Sequence, residues 1–126
     1  QLVSKYMLRK KSGDIINIAS IAGIDLSPGN CAYGTSKAAM IAFSKTLSKE
    51  LSSYGIKVNV IAPSLTDTDM ANTKEATKER ELLAEGKNFM RMAKPEEIAD
   101  LACFLCSNNA SFINGQIIRI DGGNTF

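Results

Sequence analysis

The sequence contains no histidine. This excludes a Ser-His-Asp or Cys-His nucleophile and any His-ligated zinc or iron, and no metal site is expected. An excess of one charge is also lacking. The 15 Lys plus Arg stand against 13 Asp plus Glu, a net charge of +2, too little to draw nucleic acid or an anionic membrane. No uninterrupted apolar run approaches the roughly 20 residues of a membrane span. The expected partners therefore include neither nucleic acid nor membrane. Three cysteines, an odd number with no leader ahead of them, read as reduced thiols in a cytoplasmic compartment rather than as a disulfide framework. Cys103 and Cys106 form a C-x-x-C within the helical apolar spacing of Ile98, Leu101, Ala102 and Leu105, so packing is the role expected of both. No G-x-G-x-x-G or T-G-x-x-x-G-x-G fingerprint occurs, and with it the signature of a pyrophosphate loop is missing.

What is present fits a globular chain. Of its 126 residues, 44% are apolar and 22% charged, enough apolar residues for one compact core. Residues Gln1 to Leu8 carry helical apolar spacing with no initiator Met and no cap, as though begun within a helix, so the chain is expected to be part of a longer protein. The opening helix runs into Arg9-Lys10-Lys11, with Gly13 as its stop. Ile15 to Ala19 then form a buried strand, residues 20–31 a loop, and about Ala32 to Ser52 a long helix. A second strand, Lys57 to Ala62, is broken by Pro63. The polar stretch from Ser64 to about Asn88 reads as a mobile loop with a short helix near Lys78 to Gly86. Pro95 opens a helix to about Ser107, and Gln116 to Ile120 is the last strand, closed by Asp121-Gly122-Gly123. Strand, helix, strand, helix, strand is a βαβαβ unit, one half of an α/β, doubly wound parallel sheet of Rossmann-like type.

One constellation carries chemistry. Ser20 follows the first strand, where ligands of open α/β sheets bind. Tyr33 and Lys37, four apart, share one face at the start of the long helix. An ammonium beside the phenol stabilises the phenolate left when the tyrosine gives up its proton, so Tyr33 suits a general acid that protonates a developing alkoxide. A Ser20 hydroxyl donating to the same oxygen adds electrostatic stabilisation. Such chemistry needs no histidine. A Tyr-x-x-x-Lys pair on its own is more often a solvated helix face, and its context decides.

That context is Gly13-Asp14-Ile15-Ile16-Asn17-Ile18-Ala19-Ser20, then Tyr33, then Ser36-Lys37-Ala38-Ala39. It resembles the active-site signature of the short-chain dehydrogenase/reductase family. Val58-Asn59-Val60-Ile61-Ala62-Pro63, the segment Thr66 to Met70, Ile113-Asn114-Gly115-Gln116 and Ile120-Asp121-Gly122-Gly123 resemble the family's later strands and terminal signature. The resemblance implies Ser20, Tyr33 and Lys37 as catalytic residues, with Ser20 and Tyr33 touching substrate and Lys37 also bonding the nicotinamide ribose. It implies cofactor contacts from Ile18, Tyr33, Lys37, Pro63, Thr66 and Thr68, the backbone of Thr66 facing the carboxamide. Ser64 stands where the family most often has glycine, which puts the turn geometry there in question.

Residues 1–126 are thus expected to be the catalytic carboxyl-terminal part of one domain, its amino-terminal dinucleotide-binding half lying outside this sequence. By themselves they are expected neither to hold the cofactor tightly nor to reduce a substrate. The function implied is hydride transfer between NAD(P)H, with NADP ahead of NAD, and a carbonyl or secondary alcohol. The pattern is most similar to the 3-oxoacyl-(acyl-carrier-protein) reductases, which implies a carrier-protein-linked or small-molecule carbonyl substrate. Lys11 stands at one basic docking position of that group, while Tyr54 replaces the usual Arg at another. Sugar, polyol and other small-alcohol dehydrogenases share the generic motifs and are the alternative; a non-catalytic folding or interaction unit is a second. The family also implies a homo-oligomer, dimer or tetramer, with Ala38, Ala39, Ala42 and Phe43 suited to close helix packing.

Overall fold

The computed structural model describes residues 2–26, 28–68 and 91–123. Its elements in chain order are α1 (Leu2–Lys10), β1 (Gly13–Ile18), a 3-10 turn (Ile21–Gly23), α2 (Cys31–Ser52), β2 (Ile56–Pro63), α3 (Pro95–Leu105), a second 3-10 turn (Asn108–Ala110) and β3 (Ile117–Ile120). The helix expected near Lys78 to Gly86, and the loop around it, lie outside the described residues.

The three strands form one parallel sheet in the order β1-β2-β3. Alternation along the strands separates two faces. Ile15, Ala19, Ile56, Val58, Val60 and Ile117 face α1 and α2, packing with Met7, Leu47, Ile41 and Leu51. Ile16, Ile61, Ile118 and Ile120 face α3, packing with Ile98, Leu101, Ala102 and Leu105. Helices on both faces of a parallel sheet make the expected α/β, doubly wound arrangement. β2, between two neighbours, is buried along nearly its whole length, which explains its unbroken apolar run.

One buried and one partly buried polar group, Asn59 and Lys57, fasten this frame. Asn59 donates from Nδ2 to the Ile113 carbonyl at 2.9 Å and accepts the Gln116 N–H at 3.0 Å, and the Asn114 carboxamide oxygen accepts the Val58 N–H at 2.8 Å. These bonds stitch the entry to β3 onto β2. On the α3 face, Lys57 bonds the Leu105 and Ala110 carbonyls at 2.9 and 3.0 Å and pairs with Asp14, its register partner on β1, at 3.0 Å. At the start of α3, Glu97 accepts the Lys94 N–H at 2.8 Å and a two-pronged contact from Arg91 at 2.8 and 2.7 Å. Arg91 above all, and then the Lys94 N–H, hold the Glu97 carboxyl down to about 2.

Three local expectations are corrected. First, Lys11, not Gly13, ends α1. Lys11 takes φ 52°, and the bonds Lys11 N–H to Leu8 O and Ser12 N–H to Met7 O close a left-handed helix terminus, a position that favours glycine. Gly13 instead makes room, since a Cβ there would lie 2.6 Å from the Met7 sulfur. We expect Lys11→Gly to stabilise the fold by up to about 1 kcal/mol, read as a higher urea midpoint at unchanged slope. Second, Pro63 does not break β2 but ends it in register with Ile120. The N–H groups of Val60 and Ser64 reach β3, so the nitrogen of Pro63 faces β1 beyond its last residue, where no ladder bond is lost.

Third, Cys103 and Cys106 are exposed rather than packed, as is Cys31; α3 turns Ile98, Leu101 and Leu105 inward instead. Partial burial of its sulfur, with the Asp14 carboxylate nearby, holds the Cys106 thiol above its ordinary value. Ala39, Ala42 and Phe43 lie on the exposed side of α2, whose buried face is Gly34, Ile41, Ser44, Ser48 and Leu51. Small side chains there let the helix approach the sheet. Ser64, by contrast, needs no glycine: among the described residues Lys11 alone is a non-glycine at positive φ.

Candidate active site

The carboxyl ends of β1 and β2 bring the candidate residues to one edge of the sheet. Ile18 is the last residue of β1, with its side chain 44% exposed. Two residues on, Ser20 caps the 3-10 turn, its Oγ accepting the Ala22 N–H at 3.1 Å. That bond uses a lone pair, so the hydroxyl hydrogen is available to an outside acceptor.

Tyr33 lies in the first turn of α2 and is 45% exposed. One turn further, the Lys37 ammonium donates to the Ile18 carbonyl at 3.3 Å and sits 5.6 Å from the centre of the Tyr33 ring. Lys37 thus ties the end of β1 to the tyrosine-bearing turn, its charge over the ring face.

Two glycines set how closely Ser20's turn approaches α2. A Cβ on Gly23 would lie 2.7 Å from the Lys37 carbonyl carbon and 2.8 Å from the Ala38 nitrogen, and one on Gly34 would lie 2.8 Å from the Ala22 carbonyl oxygen. Both clashes are with backbone, which cannot swing aside. Replacing Gly23 by alanine should therefore force turn and helix apart, with a loss of about 1–3 kcal/mol of folding free energy in urea titration. An unchanged midpoint would contradict this. On the sheet face below, Asn17 donates from Nδ2 to Ser44 Oγ at 2.8 Å, and Ser44 donates to the Met40 carbonyl at 2.7 Å, fixing α2 along β1.

On the other side, Pro63 is buried at the end of β2, and the chain beyond it is clamped by a bridge between Thr66 and Ala93. The bridge bonds run from Asp67 N–H to Ala93 O and from Ala93 N–H to Leu65 O, at 2.9 and 3.0 Å. The N–H and C=O of Thr66 itself therefore point away from Ala93. Its carbonyl accepts Thr68 Oγ1 at 3.4 Å, and its Oγ1 donates to the Ser64 carbonyl at 3.1 Å. Thr68 is exposed; Asp69 and Met70 lie outside the described residues.

Several supports of this site escaped the sequence reading. Gly34 carried a signal, since glycine inside a helix costs stability and so marks a close approach. Asn17, a polar residue in an apolar strand, carried another. Arg119 carried none: its partner Asp25 is remote in sequence, and only the fold joins them in an ion pair of 2.6 Å. Among the described residues no cluster of His, Cys, Asp or Glu is arranged to hold a metal, and no helix is long and apolar enough to cross a membrane.

Comparison with known proteins bears on this edge. Residues 1–125 match the sequence profile of a family described as enoyl-(acyl carrier protein) reductase. The chain is 46% identical over 121 residues to a 3-oxoacyl-(acyl-carrier-protein) reductase of Chlamydia trachomatis, covering 96% of this chain and 48% of that protein. Among solved structures it is similar to a 3-oxoacyl-(acyl-carrier protein) reductase with bound NAD from Brucella melitensis, at 36% identity and a TM-score of 0.82 over 95% of this chain and 44% of that one. It is also similar to a short-chain type dehydrogenase/reductase from Mycobacterium ulcerans, at 31% identity and a TM-score of 0.81 over 93% of this chain and 43% of that one. The chain spans about half the length of the curated relatives it matches. With a parallel sheet wound on both faces, the motif residues gathered at its carboxyl edge and a profile match over nearly every residue, the chain belongs to the short-chain dehydrogenase/reductase family.

Proposed function

We propose that these residues are the catalytic carboxyl-terminal half of an oxidoreductase that moves a hydride between NAD(P)H and a carbonyl, its substrate a 3-oxoacyl thioester on an acyl carrier protein. One observation carries the reading: the Lys37 ammonium, at the carboxyl end of β1, bonds the Ile18 carbonyl and faces the Tyr33 ring. In this reading Tyr33 gives its proton to the substrate oxygen, Ser20 donates a hydrogen bond to the same atom, and Lys37 stabilises the phenolate that remains.

The residues present fit the nicotinamide end of the cofactor. Ile18 offers a half-exposed apolar surface, Pro63 stands at the end of the neighbouring β2, Lys37 supplies a donor for a ribose hydroxyl, and Thr66 turns its backbone N–H away from Ala93, where it can meet a carboxamide. When bound, the nicotinamide supplies the hydride. With no glycine-rich phosphate loop in this sequence, the pyrophosphate and the choice of NADP over NAD fall to a preceding half, and NADP is the form this reading favours.

Two surfaces bear on the proposed partners. Lys11, at one carrier-docking position, lies beside the other, where Tyr54 stands in place of the usual Arg and one expected basic contact is lost; the backbone of Gly55 packs against the Lys11 carbonyl. Both are exposed. Val3 and Tyr6 on α1 and Phe43 on α2 are exposed by 66%, 61% and 61%, large apolar groups that suit burial against a second copy in a dimer or tetramer.

The test is a substrate panel on the full-length enzyme containing these residues, offering 3-oxoacyl thioesters, 2-enoyl thioesters and polyols with each nicotinamide cofactor. The 3-oxoacyl thioester should lead in kcat/KM by roughly 100-fold or more. Turnover confined to enoyl thioesters or to polyols would overturn the substrate assignment, and no turnover of any of them the oxidoreductase reading.

A further inference from the structure

Arg119, on β3, makes ion pairs in two directions. Its Nη2 lies 2.6 Å from Asp25 Oδ2 and its Nε 2.6 Å from Asp121 Oδ2, with side-chain exposures of 30% for Arg119, 28% for Asp25 and 13% for Asp121. Such partly sheltered, charge-assisted contacts are stronger than exposed surface pairs. Both ends of the tie are themselves fixed by backbone. Asp121 accepts the Gly123 N–H at 3.0 Å, and the Asp25 N–H donates to the Ile21 carbonyl at 2.8 Å, so Asp25 rides on the turn that Ser20 caps.

Topology makes this tie unusual in reach. β2 lies between β3 and the chain that leaves β1, so Arg119 has to span its width. The residue of β2 in register with Arg119 is Ala62, and its methyl group leaves the way open. The guanidinium also separates two carboxylates. Without it, Asp25 and Asp121 would face each other with no cation between them, which drives the loop outward.

We propose that Arg119 is a positioning residue: by tying Asp25 to Asp121 it holds the connection between Ser20 and Tyr33 against β3 and so sets the opening through which substrate reaches the two. The substrate part of this proposal rests on the function proposed above; the tie itself does not. Neither acid nor hydride donor is altered by it, so its loss acts on substrate binding more than on chemistry.

The experiment compares Arg119→Gln, Asp25→Asn, the double variant and the charge-keeping Arg119→Lys in the full-length enzyme. It reads hydrogen exchange of the amides from Ile24 to Tyr33 together with steady-state kinetics. Each single loss should speed exchange there about tenfold. It should also raise KM for the acyl thioester several-fold more than it lowers kcat, with cofactor affinity within about twofold of wild type. The double variant should be no worse than Arg119→Gln, because both remove one tie. Arg119→Lys should recover part of the protection, and as the mildest change it keeps the test open if Arg119→Gln fails to fold. Unchanged exchange in the single variants, or additive effects in the double, would overturn the tie. Faster exchange with KM unmoved would overturn its role at the opening. If the wild type reduces no 3-oxoacyl thioester yet the exchange pattern holds, the tie stands and the substrate assignment fails.

Discussion

Replacing Tyr33 by phenylalanine in the full-length enzyme is expected to lower kcat by about 10²- to 10⁴-fold, the usual worth of a positioned general acid. The change removes one oxygen and nothing else. Tyr33 is 45% exposed in the first turn of α2, so the fold keeps its packing and thermal unfolding should shift by no more than about 1 °C. KM should move little, because the lost interaction belongs to the transition state, and kcat and kcat/KM should fall together. The Ser20 hydroxyl and the bound cofactor remain, which leaves a residual rate from stabilisation of the developing alkoxide alone. Retention of more than about a tenth of the wild-type kcat would remove Tyr33 from the acid role.

Lys37→Met is expected to have the second-largest effect, and on two quantities at once. With no ammonium over the ring, the phenolate is no longer stabilised and kcat falls by about 10²-fold or more. Cofactor affinity should weaken by about 10- to 100-fold, the worth of one charge-assisted hydrogen bond to the ribose. Methionine is a fair control for shape. The Lys37 atoms that Gly23 packs against are the backbone carbonyl carbon and Cβ, and methionine retains both. The Ile18 carbonyl that Lys37 occupies at 3.3 Å borders an exposed residue and can be met by water, so stability should change by less than about 1 kcal/mol. Lys37→Arg should not rescue, because a planar fork cannot replace a compact ammonium that serves the Ile18 carbonyl and the ring together. Equilibrium cofactor titration checks the binding half. An unchanged dissociation constant for Lys37→Met would dismiss the ribose contact even if kcat collapsed.

Much of the architecture could be read from local pattern. Runs such as Val58 to Ala62 and the capped, periodic stretch after Pro95 report burial and helicity through neighbours close in sequence, and the elements fall where that pattern puts them to within a residue or two. The errors came where a contact from elsewhere decided the matter. Gly13 looked like a helix stop, but Met7 crowds it and Lys11 takes the left-handed turn. Pro63 looked like a strand breaker, but its nitrogen faces beyond the end of β1. Along α2 the apolar Ala42 and Phe43 face outward, while Ser44 and Ser48 are buried beside Ile41 and Leu51, the two serines at 1% and 4% exposure. A bond such as Asn17 to Ser44 makes a polar residue the better inward choice, and no periodicity of apolar residues reveals it.

By itself the sequence determined the order and type of the elements, the chemistry of the candidate residues and, through spacing alone, that Tyr33 and Lys37 share a helical face. Those properties depend on bond geometry and on neighbours a few positions away. Only the tertiary structure decided that the Lys37 ammonium bonds the end of β1, that two glycines press the Ser20 turn onto α2 and that Arg119 reaches Asp25 across the width of β2. Each of these depends on where separate elements come to rest, and that is set by the packing of the whole sheet rather than by any one stretch of chain.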